Sequence, residues 1–161
     1  MRIAVGSDHA GYGLKAVLAA HLDDGGHDVL DLGTGDPDVS VDYPRYGAAV
    51  GEAVAGGRAE MGVCVCGTGI GISMAANKVR GVRAALVHDV TTARLAREHN
   101  DANVVCLGGR TTGPLVAVEA LDAFVATAYL GGRHQRRIDE IADYEADPHP
   151  EHTEPERQPH P

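Results

Sequence analysis

Cys66 opens the run Cys66-Gly67-Thr68-Gly69-Ile70-Gly71-Ile72, a thiol followed by three glycines at alternate positions. The apolar run Met61 to Val65 precedes it, and a helical stretch through Ser73-Met74-Ala75-Ala76-Asn77 follows. In a strand–glycine turn–helix junction the backbone N–H groups point inward and form an anion-binding nest. A thiol at that point sits at a helix N-terminus, whose field favours the ionised form that acts as base or nucleophile. Cys64 and Cys106 lie inside strand-like runs and read as core. Arg133 and Arg137 are four apart in the last helical stretch, so they share a face. Guanidinium forks on one face suit a phosphate.

The glycines exclude some chemistries. Gly6 to Gly11 have P-loop spacing, but Tyr12 and Gly13 stand where a phosphate-binding Lys and a Ser or Thr are needed. The Gly67 to Ile72 turn resembles a dinucleotide fingerprint, yet Ile72 replaces the third glycine and the turn follows the third strand, not the first. A cysteine phosphatase needs an arginine six residues after its cysteine, and that position is also Ile72.

These residues need a frame. Ile3-Ala4-Val5 reads as strand one, Val29 to Leu32 as strand two, Met61 to Val65 as strand three, Val82 to Val87 as strand four and Val104 to Leu107 as strand five. Leu14, Val17, Leu18, Ala20 and Leu22 fall near helical spacing, and Asp23-Asp24-Gly25-Gly26 stops that helix. A loop from 33 to 42 leads to a helix opened by Pro44 and closed by Gly56-Gly57. Asp89 or Thr91 caps a helix reaching about His99, Pro114 opens another through Phe124, and Gly131-Gly132 sets off a last one over 133–144. Alternating strands and helices predict a Rossmann-like three-layer αβα sandwich on a five-stranded parallel sheet. In such folds ligands bind at the carboxyl ends of strands. That locates chemistry after strand one (Ser7-Asp8-His9), after strand three (Cys66 to Gly71) and after strand five (Gly108-Gly109-Arg110).

The chain has 161 residues, about one domain. We place that domain at 1–146 and read 147–161 as a disordered tail, because that segment holds five of the eight prolines and no aliphatic residue. The net charge of −9 argues against a nucleic-acid partner. No apolar run approaches the ~18 residues of a membrane helix, and Asp8 interrupts any export signal. Three cysteines without a C-x-x-C pair point to a reducing cytoplasm rather than a disulfide framework. No His, Cys or Asp spacing matches a closed metal site.

Four segments in register resemble the type B ribose-5-phosphate isomerases, over residues 1 to about 145. They are Cys66 to Ser73 with Ala75-Ala76-Asn77-Lys78; Ser7-Asp8-His9-Ala10-Gly11; Arg97 to Asn103; and Gly132-Arg133-His134-Gln135-Arg136-Arg137. That family includes galactose-6-phosphate isomerase subunits. Some members carry Ser in place of the cysteine and use a nearby Glu, whereas this chain follows the cysteine branch.

The resemblance implies interconversion of D-ribose 5-phosphate and D-ribulose 5-phosphate through an enediolate, without cofactor or metal. It implies Cys66 as base, backbone N–H groups of Gly67, Thr68, Gly69, Ile70 and Gly71 with the Thr68 hydroxyl as oxyanion donors, and Asp8 binding hydroxyls or moving protons. His99 would open the sugar ring, with Asn100 beside it. His9, Arg110, Arg133 and Arg137 would hold the phosphate, and Tyr43 would touch substrate. It further implies a homodimer, or a dimer of dimers, in which His99, Asn100 and Arg110 reach the Cys66 site of a neighbouring chain. Galactose 6-phosphate or allose 6-phosphate as substrate remains open, as does a nucleotide-binding α/β sensor module.

Overall fold

The computed structural model describes residues 1–147. The remainder of the expected tail, with His149, His152 and His160, lies outside the described residues. The strands are β1 (Arg2–Ser7), β2 (Asp28–Asp31), β3 (Met61–Cys66), β4 (Ala84–Leu86) and β5 (Val104–Gly108). The helices are α1 (Tyr12–Asp24), α2 (Tyr43–Ala55), α3 (Ile70–Ala76), α4 (Val90–Asn100), α5 (Pro114–Ala126) and α6 (Arg133–Ala146). A short 3-10 turn, His9–Gly11, joins β1 to α1. All strand pairings are parallel, in the order β2-β1-β3-β5-β4, so the expected αβα sandwich is present.

Side chains alternate across the sheet with period two. Ile3, Val5, Val63, Val65, Val105 and Leu107 enter one core with α1, α4 and α5. Ala4, Cys64, Cys66, Val104 and Cys106 enter the other, beneath α2 and α3. Small residues let α2 and α3 approach closely: a Cβ on Gly47 would stand 2.8 Å from the Ile72 carbonyl oxygen. Two sequence expectations need correction. Val17 and Ala20 are exposed, and the buried stripe of α1 is Leu14, Lys15, Leu18 and Leu22. Strand β4 is shorter than expected because Val82 N–H closes a turn onto Val79 O and Arg83 N–H bonds the Asn103 side chain instead of a ladder partner.

The register sets the site. Ser7 pairs with Val65 and Cys66 with Gly108, so β1, β3 and β5 end level. Strand order reverses between β1 and β3, the switch point where an open α/β sheet leaves a crevice.

Candidate active site

At that crevice Asp8, His9, Tyr43, Cys66, Thr68 and Arg110 line a concavity of about 520 Å³, together with Gly67, Ile70, Gly71 and Met74. Cys66 is the last residue of β3 and is buried, and its Sγ accepts a hydrogen bond from Gly69 N–H at 3.1 Å. Gly69 has φ +77°, and a Cβ there would stand 2.6 Å from Leu86 Cδ1 and 2.9 Å from the Leu107 backbone. Only glycine turns the chain tightly enough to aim that amide at the sulfur. Ile70 N–H donates to Thr68 Oγ1 at 3.3 Å. Two of the five amides expected to face an oxyanion are therefore committed within the turn, which corrects the reading of Gly67 to Gly71 as a uniform donor set. Among the described residues, the N–H groups of Gly67 and Thr68 have no partner.

The β5 end is tied to this turn. Gly109 N–H donates to Cys66 O at 2.8 Å and Arg110 N–H to Gly67 O at 2.9 Å. Arg110 thus lines the Cys66 concavity of its own chain, which corrects the expectation that it reaches across to a neighbour's. Asp8 is buried; its Oδ1 caps the 3-10 turn by accepting from Gly11 N–H at 2.9 Å, which leaves Oδ2 for a ligand. The Val41 backbone engages His9 Nδ1, its N–H at 3.1 Å and its carbonyl oxygen at 3.2 Å, and leaves Nε2 for the concavity. The Tyr43 ring lies over Gly71, where a Cβ would come within 2.5 Å of Tyr43 Cζ.

His99, Asn100, Arg133 and Arg137 are elsewhere. Helix α4 starts at the carboxyl end of β4 and runs ~16 Å back to the amino end of the sheet. Asn103 O accepts from Gly62 N–H there, ~13 Å along β3 from Cys66. The His99 ring stacks on His134 with centroids 4.3 Å apart and planes 9° apart. His134 is buried, and burial, then His99, Arg133 and Arg137, hold it below the usual imidazole range. Arg133 and Arg137 are exposed, and Arg136 pairs with Glu140 at 3.7 Å, as its i, i+4 spacing implied.

Several residues of the recognised segments are scaffolding. Asp101 ends α4 in the left-handed region (φ 43°) and takes ion pairs from Arg83 at 2.8 Å and Arg97 at 2.9 Å. The Asn77 amide donates to Ala84 O and accepts from Ala84 N–H, fastening α3 to the edge strand. Cys64 and Cys106 are core, as expected; the Cys64 hydrogen bond and burial push the Cys106 thiol well up. Sequence reasoning missed Met74 and Ala10 on the concavity, and the buried Lys15 that bonds Asp31 and Thr34. A lysine within the apolar stripe of α1 was the available signal for Lys15. Among the described residues, no three His, Cys, Asp or Glu side chains gather where they could hold a metal ion, and no helix is long and apolar enough to cross a membrane.

Residues 3–141 match the family model described as Ribose/Galactose Isomerase. The chain is 44% identical over 144 residues to ribose-5-phosphate isomerase B of Escherichia coli, covering 89% of this chain and 96% of that one. The solved structure of Clostridium thermocellum ribose-5-phosphate isomerase B superposes with a TM-score of 0.90 at 45% identity, over 92% of this chain and all (100%) of that one. A Mycoplasma genitalium ribose-5-phosphate isomerase B with bound ribulose-5-phosphate superposes with a TM-score of 0.86 at 43% identity, covering 91% and 97%. A family model matched over most of the chain and relatives this similar over nearly their whole length place it plainly: this chain belongs to the ribose/galactose isomerase family.

Proposed function

We propose that this chain is an aldose–ketose isomerase that interconverts D-ribose 5-phosphate and D-ribulose 5-phosphate, with Cys66 as the base. The observation that carries the reading is the Cys66 sulfur, held by Gly69 N–H at 3.1 Å inside a concavity that also presents Asp8, His9, Thr68 and Arg110. In the open-chain aldose, the Cys66 thiolate takes the C2 proton. The C2–H electron pair forms the C1–C2 double bond, and the carbonyl π electrons move onto O1. The unpartnered N–H groups of Gly67 and Thr68, with the Thr68 hydroxyl, offset that negative charge. Asp8 Oδ2 carries a proton from the C2 hydroxyl toward O1, and the Cys66 thiol returns its proton to C1, giving the ketose. No electron leaves the substrate, so no redox cofactor is required. His9 and Arg110 anchor the phosphate and Tyr43 borders the sugar.

Ring opening by His99, and the rest of a phosphate clamp from Arg133 and Arg137, are supplied by a second copy. We infer this because those side chains sit at the opposite end of the sheet from Cys66. A homodimer with shared sites places one copy's amino-end cluster over the other's concavity. Residues 1–146 act as one catalytic domain. Three buried free thiols suit the reducing cytoplasm.

The test is an aldose–ketose assay over ribose 5-phosphate, allose 6-phosphate and galactose 6-phosphate, with and without EDTA. Ribose 5-phosphate is expected to turn over best, undiminished by chelation. Preference for a hexose phosphate overturns the substrate. No turnover of any sugar phosphate, with thermal stabilisation by ATP alone, overturns the reaction.

A further inference from the structure

A charged group buried outside the reacting concavity demands a reason. Lys15 is 3% exposed and sits on the apolar stripe of α1. Its Nζ donates to both carboxylate oxygens of Asp31, at 2.9 and 2.6 Å, and to Thr34 O at 3.2 Å, using all three ammonium hydrogens. Asp31 Oδ1 also accepts from Gly33 N–H at 2.8 Å. Desolvating an ammonium group costs more than such a pair usually returns, and an apolar side chain would fill the stripe without that cost. The pair's position suggests what it does instead.

Asp31 ends β2, and Thr34 begins the irregular segment that runs to α2. Leu32 N–H and Thr34 N–H donate to Val5 O and Ser7 O, laying the start of that segment along the end of β1. Gly33 is wedged there: a Cβ would stand 2.7 Å from Ser7 N and 2.8 Å from Lys15 Cδ. The far end of the same segment carries Val41, whose backbone holds His9 Nδ1, and leads into Tyr43. Among the described residues, no hydrogen bond runs from β2 or α1 to residues 35–42, so the course of the segment is set at its start. We propose that Lys15 is a positioning residue: the Lys15–Asp31–Thr34 bolt sets the course of residues 32–42 so that Val41 keeps the His9 ring turned with Nε2 toward the phosphate end of the concavity. This rests on the isomerase reading only for its kinetic consequence, since the orientation of His9 can be observed without turnover.

The experiment is Lys15→Met, read three ways in the full chain. Imidazole nitrogen NMR of His9 is expected to show Nδ1 released from its backbone partners. KM for ribose 5-phosphate is expected to rise about tenfold, the worth of one charge-assisted hydrogen bond, while kcat holds within about threefold. In a His9→Ala background, Lys15→Met is expected to raise KM no further. Asp31 is 48% exposed in its side chain and rehydrates when the lysine is gone, so the fold should persist. Should Lys15→Met fail to fold, Lys15→Gln, which keeps a donor for Thr34 O, carries the same readouts. An unchanged His9 nitrogen signal in a folded variant overturns the proposal. So does a KM rise that adds in full to that of His9→Ala. If the wild-type chain turns over no sugar phosphate, the isomerase reading fails and the His9 signal alone decides the role of Lys15.

Discussion

The two ends of the sheet hold the two groups of residues that the proposed reaction would use, and they are built differently. At the carboxyl end, the main polar side chains follow directly from strands: Asp8 and His9 from β1, Cys66 and Thr68 from β3, Arg110 from β5. Backbone hydrogen bonds clamp these turns to one another, as from Gly109 N–H to Cys66 O and from Arg110 N–H to Gly67 O. At the amino end, His99 and Asn100 come from a helix terminus, while Arg133 and Arg137 come from a helix that returns to it through Gly131 and Gly132, both at positive φ. Side-chain ion pairs and ring stacking hold that cluster together. One end is a preorganised concavity that holds the Cys66 sulfur; the other presents exposed cations and a half-buried imidazole at the far side of the sheet from it. On the proposed reading, a complete site takes two copies, each lending its amino end to the other's carboxyl end.

The comparison breaks or stands most directly on mixing. Cys66→Ala and His99→Ala chains are each expected to lose about 10²- to 10⁴-fold in kcat, the usual worth of a general acid or base. When the two are allowed to exchange subunits, half of the dimers become mixed. In each mixed dimer one site carries both lesions and the other carries neither, so activity is expected to return to roughly a quarter of wild type. Exchange shown by mass spectrometry without recovery would place both residues in one chain's site and refute the division between the two ends.

A smaller effect sharpens what the amino end contributes. Arg137→Ala is expected to raise KM for ribose 5-phosphate about 10- to 100-fold, one charge-assisted contact to phosphate, with kcat little changed. Arg136→Ala should leave KM alone, because Arg136 is turned toward Glu140 at 3.7 Å. Steady-state kinetics on both variants, with unphosphorylated ribose as control, checks this. Equal effects of the two substitutions would mean that the helix face is merely a solvated surface.

The contrast also explains what the sequence revealed. The carboxyl-end residues could be located from strand periodicity, because a parallel sheet delivers whatever follows a strand to one edge. Strand ends thus locate Asp8, Cys66 and Arg110 by pattern alone. The commitment of the Gly69 and Ile70 amides was not legible, since it depends on the φ of Gly69 and on where the Cys66 sulfur lies within the turn. The amino-end cluster was recognisable in type but not in place: i, i+4 spacing puts Arg133 and Arg137 on one face without saying which end of the sheet that face meets. The His99–His134 stack joins residues 35 apart in the chain, a distance no local pattern spans. Lys15 was hidden in plain view, because helical spacing counts apolar residues and passes over a charge among them.

The smallest expected effect concerns the stack itself. His134 is held below the ordinary imidazole value of 6.5 by burial first, and then by His99, Arg133 and Arg137. The folded chain therefore takes up the His134 proton only at lower pH than the unfolded chain does. Above pH 6.5 the ring is neutral in both states and its contribution to stability is fully present. As pH falls below 6.5, the unfolded chain binds the proton first, so stability is drawn away until the folded ring also protonates. His134→Gln cannot titrate and should lose that part of the acid slope. The melting curves of the two proteins, measured from pH 8 down to about 5, a range spanning the ordinary imidazole value, should run parallel above 6.5 and converge or cross below it. A substitution at the Cys66 end that removes no imidazole gives a control: Tyr43→Phe should shift the curve without changing its slope. Parallel curves for wild type and His134→Gln across the whole range would mean that the stack tolerates a charged His134, and that the amino end is less tightly closed than its geometry indicates.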